Sequence, residues 1–195
     1  MTVRGTTVIA AILAAAISAA AAPDETLFDD GVAAFTNGDY AASAASLASF
    51  AKAFPSSERI SDARFVQAKA LVMLARFEDA IVVLDTFLEL SPNGPHSFEA
   101  LMLRGEAMVA ASPLTPHFGD AAISFAMALE TDYIPRNGRI DATIHLADAL
   151  LRMGDKIGAA QAIGRLSAPG RREAARLAET HGFWRVAKFL PAPEA

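Results

Sequence analysis

The sequence contains no cysteine. That absence excludes disulfides, thiolate zinc sites and the acylated cysteine that follows the leader of a bacterial lipoprotein. Aromatic side chains are scarce at 8%, with a single tryptophan, Trp184. Four histidines, His96, His117, His145 and His181, are scattered without an HExxH pair, and neither a GxSxG elbow nor a phosphate-cradling glycine loop is present. Positive charge is also short: 17 Lys and Arg stand against 22 Asp and Glu, a net charge of −5. Such a balance favours solubility and gives nucleic acid no basic, aromatic-interleaved surface to bind. Beyond the N-terminus, no run approaches the roughly 20 apolar residues that a spanning helix requires.

What is present begins with "TVIAAILAAAISAAAAP", an apolar run behind Arg4 that closes on small residues before Pro23. This is the layout of a secretory signal peptide, expected over residues 1–22 with cleavage between Ala20 and Ala22. The mature chain is then expected in the periplasm, the alternative being an uncleaved inner-membrane anchor. Cleavage leaves 16 basic and 22 acidic residues, net −6.

From residue 24 onward the chain repeats itself. A small residue recurs at Gly31, Ala68, Gly105 and Ala147, in steps of 37, 37 and 42. The first large residue of the following helix recurs at Tyr40, Phe77 and Phe118, then gives way to Lys156. Three positions on, Ser43, Ala80, Ala121 and Ala159 recur as well. Residues 60–75 carry apolar positions at i, i+3, i+4 and i+7, as do 77–90, so both segments read as amphipathic helices. "FPSS", "SPNGP" and "SPLTP" end helices between the pairs, while Gly38 and Gly154 suit left-handed turns inside a helical pair. Each unit is therefore an αα-hairpin whose small residue marks a close helix crossing, with Tyr40, Phe77 and Phe118 expected to fill the gap to the next hairpin. One hairpin leaves its apolar face uncovered; a stack of them does not. The expected architecture is all-α, a right-handed solenoid of three to four hairpins over residues 23–168, with C-terminal capping helices and a tail at 169–195. "HGFWRVAKFLP", with Gly182 as a helix stop, supplies the last apolar helix of that end.

The small residue, the aromatic, the alanine and the closing proline of "ARFEDAIVVLDTFLELSPN" resemble the tetratricopeptide repeat. "AFP", "LSP", "RGEA" at 104–107 and "LADALLRMGDKIGAA" at 146–160 look more specifically like envelope tetratricopeptide proteins. The first likeness is to the repeat domain of the Tol-Pal-associated cell-division coordinator, the YbgF-like (CpoB) family; the repeat domain of the assembly lipoprotein BamD comes second. The chain departs from both, having no coiled coil before the repeats and no lipobox cysteine. The resemblance implies a non-enzymatic adaptor that binds envelope or cell-division proteins, with no cofactor, no nucleic acid and no stable membrane insertion after signal cleavage.

In such a stack the first helices of successive hairpins line a concave face. The repeat register puts Phe28, Phe65, Met102 and Ile144 in one apolar row there, with Lys69, Glu106 and Asp148 as charged steps beside it. These seven residues are the candidate partner-binding groove; the same row also reads as packing between first helices. Charge divides along the chain: residues 24–135 hold 6 basic and 16 acidic side chains, net −10, and residues 136–190 hold 10 and 5, net +5. Asp141, His145 and Asp148 share one helix face, a spacing that a metal ion can use but that ordinarily serves as a solvated surface, so neither a metal site nor a catalytic residue is expected. The alternatives to an adaptor are an enzyme or accessory subunit acting on cell-wall material, which needs clustered acids of perturbed pKa in a cleft, and a membrane-tethered stability factor.

Overall fold

The computed structural model describes residues 23–111 and 117–190. The expected signal peptide, the "SPLTP" connection and the last five residues lie outside the described residues.

Proline, glycine and short polar turns cut the described chain into ten helices and, among the described residues, no strand. They are α1 (Pro23–Thr36), α2 (Tyr40–Ala53), α3 (Ile60–Met73), α4 (Phe77–Leu90), α5 (Ser97–Ala111), α6 (Phe118–Ala128), α7 (Gly138–Arg152), α8 (Lys156–Gly164), α9 (Ala168–Thr180) and α10 (Trp184–Phe189). From α1 to α8 each helix packs on its chain neighbours, and the first helices α1, α3 and α5 also touch in sequence. Contacts confined to near neighbours are those of a tetratricopeptide-like solenoid.

The small residues of the first helices sit where a second helix leans on them. A Cβ on Gly31 would come within 2.6 Å of Leu47, and one on Gly105 within 2.5 Å of the Phe125 ring. Ala68 and Ala147 are fully covered in clusters that hold Leu84 and Ile163. Small on one helix against large on the next lets the two axes approach, and the large side chain is buried as a result. The aromatics that fill the stack are thus Phe50, Phe87 and Phe125 of the second helices, all at most 1% exposed. Tyr40, Phe77 and Phe118, expected in that role, are only half-buried, because each opens a helix next to a solvent-facing turn.

A polar link crosses three helices as well. Arg104 of α5 donates its Nε to Asp85 of α4 and its Nη1 to the Ser124 hydroxyl of α6, the latter at 2.6 Å. It ties the second hairpin to the third with a charge-assisted bond at a partly buried position.

Three of the turns within hairpins share one device. After the last residue of the first helix, the backbone passes through a left-handed residue: Gly38 (φ 80°), Gly154 (φ 84°) and Gly182 (φ 79°). The next N–H then reaches back to the helix, as in Asp39 to Ala34, Asp155 to Leu150 and Phe183 to Ala178. The third of these makes α9 and α10 a fifth, shortened hairpin, and both of its helices pack on α7. Val186 and Leu190 close over Ile144, Ala147 and Ile163 there.

The second hairpin departs from these three with Ala75, which holds φ 56° where they have glycine. A methyl group in that conformation costs about 1 kcal/mol or more, which exceeds the entropic advantage of alanine in the unfolded chain. Ala75→Gly should therefore raise Tm by ~2–4 °C per kcal/mol recovered. Gly105→Ala should act oppositely, costing about 1–3 kcal/mol as the Phe125 ring is displaced. Thermal unfolding of the two variants beside the parent chain measures both.

Candidate functional site

The inner face is built from α1, α3, α5 and α7. Of the expected apolar row, Phe65, Met102 and Ile144 are 5%, 8% and 2% exposed, and only Phe28 is half-open. An uncovered apolar floor is not what the row makes. Phe28 packs edge-on to Phe50 at 5.6 Å under the Arg59 guanidinium, which pairs with Asp29 at 3.0 Å. His96, arriving on the turn before α5, stacks flat on Phe65 at 4.6 Å. Ile144 is covered by the α9–α10 hairpin. Its neighbour in the expected groove, Asp148, is 6% exposed and bound by Arg152, one turn along its own helix. The groove therefore stops short of α7 in its apolar part. The cause is the last hairpin, whose own apolar face needed covering.

Four of the expected residues do come together. Phe65 and Lys69 of α3 and Met102 and Glu106 of α5, joined by Glu99 and Leu103, line a hollow of about 190 Å³. Its floor is the small uncovered remainder of the otherwise buried Phe65 and Met102. The Lys69 ammonium stands 5.2 Å from the Phe65 ring centre and 6.0 Å from that of Phe35, a cation–π arrangement that holds it at one rim. Glu99 and Glu106 form the opposite rim.

Beyond Glu106 lies a polar cluster that the helical register alone did not show. The His145 Nε2 is 3.7 Å from the Glu106 carboxylate, and its ring lies between Phe125 at 5.0 Å and Phe183 at 4.7 Å. Burial among those rings lowers its pKa to about 4; Asp148 pulls it up and His181 pushes it further down. His145 is thus uncharged at neutral pH and does not neutralise its acidic neighbour. The Glu106 carboxyl is held above its ordinary range, first by burial and then by repulsion from Asp141. Asp141 is raised too, by burial, with His181 acting in the opposite sense. Among the described residues no three His, Asp or Glu side chains gather as a metal-holding group, and the Asp141–His145–Asp148 face loses Asp148 to Arg152.

The stacked hairpins and their small inner-face hollow define a tetratricopeptide-type repeat protein, a class of protein-interaction scaffold. The chain belongs to the YfiO family of outer membrane lipoproteins, whose model matches residues 20–130, the first three hairpins. That match supports the outer-membrane lipoprotein likeness over the cell-division one. Among solved structures, the chain is similar to a tetratricopeptide repeat protein from Parabacteroides merdae (TM-score 0.63, 12% identity, covering 85% of this chain and 63% of that one). It is also similar to MamA (TM-score 0.62, 18% identity, 85% and 87% covered) and to MamA from Desulfovibrio magneticus RS-1 from residue 41 onward (TM-score 0.59, 18% identity, 80% and 76% covered). At these identities the likeness is one of fold. A comparison with curated proteins found no match.

The titration of His145 has a sign that can be checked. Its folded pKa is below the ordinary 6.5, so the folded chain resists the proton that the unfolded chain accepts. Its contribution to stability is intact above pH 6.5 and is lost as pH falls towards about 4. The loss should amount to about 2–3 kcal/mol after allowing for partial exposure. Glu106 and Asp141, being raised, act in reverse and are relieved by acid. His145→Phe should flatten the acid-side fall in denaturant-measured stability, and Glu106→Gln should steepen it.

Proposed function

We propose that the chain is a non-enzymatic adaptor of the bacterial envelope that grips a segment of an envelope or cell-division protein on its inner face. The observation that carries this reading is the hollow between α3 and α5: an apolar floor, one cation on one rim and two carboxylates on the other. A partner segment would seat one aliphatic side chain over Phe65 and Met102, offer an acidic or carbonyl oxygen to Lys69 and a basic group to Glu106. Burial and repulsion from Asp141 hold the Glu106 carboxyl above its ordinary range, so the basic group is the part that selects, because bringing it in relieves that repulsion. Phe28, Ile144 and Asp148 contribute by shaping the stack and not by touching the partner.

The proposed setting is the periplasm, reached through cleavage of residues 1–22. Among the described residues no helix is long and apolar enough to cross a membrane, which leaves the leader as the element that decides tethering. No cysteine is available for acylation in these 195 residues, so anchoring as a lipoprotein of the matching family is not part of the proposal. The intact mass of the protein from the envelope fraction should correspond to a chain beginning at residues 21–23; a mass that includes Met1 would favour the inner-membrane anchor.

A second reading, an accessory subunit acting on cell-wall material, draws on the raised pair Glu106 and Asp141, since paired carboxylates of shifted pKa are the tools of glycoside hydrolysis. Release of soluble fragments from purified peptidoglycan, abolished by Glu106→Gln, would install it. The adaptor reading expects none. It expects instead that the parent chain captures a defined protein from envelope extract and that Lys69→Glu and Leu103→Glu each weaken capture about tenfold or more. Recovery of no protein above background with the parent chain counts against it.

A further inference from the structure

Clefts larger than the inner hollow open elsewhere on the molecule. One, of about 360 Å³, runs between α2 and α4 with α3 as its floor. Gln67 of that floor is two residues from both Phe65 and Lys69, which turns it to the opposite side of α3 from the inner hollow. The walls are small on one side, Ala41, Ala44, Ala45 and Ala48 of α2, and branched on the other, Val82 and Val83 of α4. Val82 is 65% exposed. The charges at the rim, Arg76 and Asp79, already satisfy each other at 2.7 Å.

The lining of this apolar cleft includes one polar side chain with an unpartnered atom. Gln67 is 7% exposed and its Oε1 accepts no hydrogen bond. A buried acceptor among alanines and valines is complementary to a flat apolar group that carries one donor. An indole is such a group: it has a single N–H, no acceptor and a broad apolar face. The chain's only tryptophan, Trp184, stands 63% exposed at the start of α10, while Val186 and Leu190 of the same hairpin are buried. Arg185 and Lys188 flank it in solvent. It belongs to the half of the chain with net charge +5, and the cleft to the half with net charge −10.

We propose that the occupant of the α2–α4 cleft is Trp184 of a second copy of this chain, its ring between the α2 alanines and the α4 valines and its Nε1–H donated to the Gln67 Oε1. Within one chain the two cannot meet, because α10 packs on α7 and the cleft lies three to five helices earlier. The contact is therefore heterologous: an open row of copies keeps one free Trp184 at one end and one free cleft at the other until a ring closes. Opposite half-chain charges draw the copies together head to tail and oppose the reverse order. The inner hollows stay open, so such an assembly would present several to one partner.

Sedimentation velocity of the chain as purified from its envelope fraction, with Trp184 emission followed in parallel, tests this. The expected result is a mass that grows with concentration, an emission that moves to shorter wavelength as it grows, and a retreat of both on adding salt. Trp184→Ser removes the ring and keeps the cleft; Ala45→Arg, at an exposed wall position, blocks the cleft and keeps the ring. Each alone should associate at least roughly thirtyfold more weakly, and their mixture should give a one-to-one dimer that grows no further. Ala41→Arg, also at an exposed wall position, replaces Ala45→Arg if circular dichroism shows that variant unfolded. A parent chain that stays monomeric with unshifted emission overturns the proposal, whatever else covers the cleft. So does association that survives in either variant, or a mixture that remains monomeric.

Discussion

The whole arrangement depends on how closely two helices can approach. Gly31 beneath Leu47 and Gly105 beneath Phe125 leave no room for even a methyl group, and Ala68 and Ala147 hold the same place in the other hairpins. Close approach buries Leu47, Leu84 and Phe125 almost completely, and those side chains, with Phe50 and Phe87, form the core that runs from hairpin to hairpin. A hairpin standing alone would leave part of this core facing water, and stacking contributes about 25 cal/mol per Å² of apolar surface it removes from solvent.

The same requirement shapes the inner face. A stack must end somewhere, and its last apolar surface must be covered. Here α9 and α10 do so by folding as a shortened hairpin on α7, which removes Ile144 from solvent and brings Phe183 against His145. What is left open on the inner side is small, between α3 and α5, and its chemistry is uneven: Lys69 at one rim, Glu99 and Glu106 at the other, and Asp141 near enough to repel Glu106. On the proposed reading, such a surface distinguishes partners by charge order more than by apolar area. The outer side is apolar and offers one unmatched acceptor, a different kind of surface. The two faces lie on opposite sides of α3, so use of one does not obstruct the other.

Much of the fold was legible in residue order. The recurrences at 31, 68, 105 and 147 and the helical spacing of 60–75 and 77–90 set the hairpins, and α3 and α4 occupy 60–73 and 77–90. Gly38 and Gly154 are left-handed as their type suggested; Ala75 is left-handed although nothing in its type suggests it, because the repeat geometry imposes the conformation at that register. The fully buried aromatics of the stack are not the ones that the repeat register points to. Tyr40, Phe77 and Phe118 recur more visibly, but burial belongs to the residues one to three turns further into each helix, away from the turn. The site was legible in part. Phe65, Lys69, Met102 and Glu106 share a hollow as the register implied, whereas Ile144 and Asp148 are covered by groups that register does not describe.

By itself, then, the order of residues determined the helices, their pairing and the points of close contact, because these follow from periodicity, backbone preference and side-chain size within a few turns. Tertiary structure alone decided which side chains remain reachable. The covering of Ile144 by α10, the meeting of Glu106 with His145 and the isolation of the Gln67 oxygen each join residues from different helices. Exposure and electrostatic environment are properties of such meetings and of the water they exclude, and no local pattern carries them.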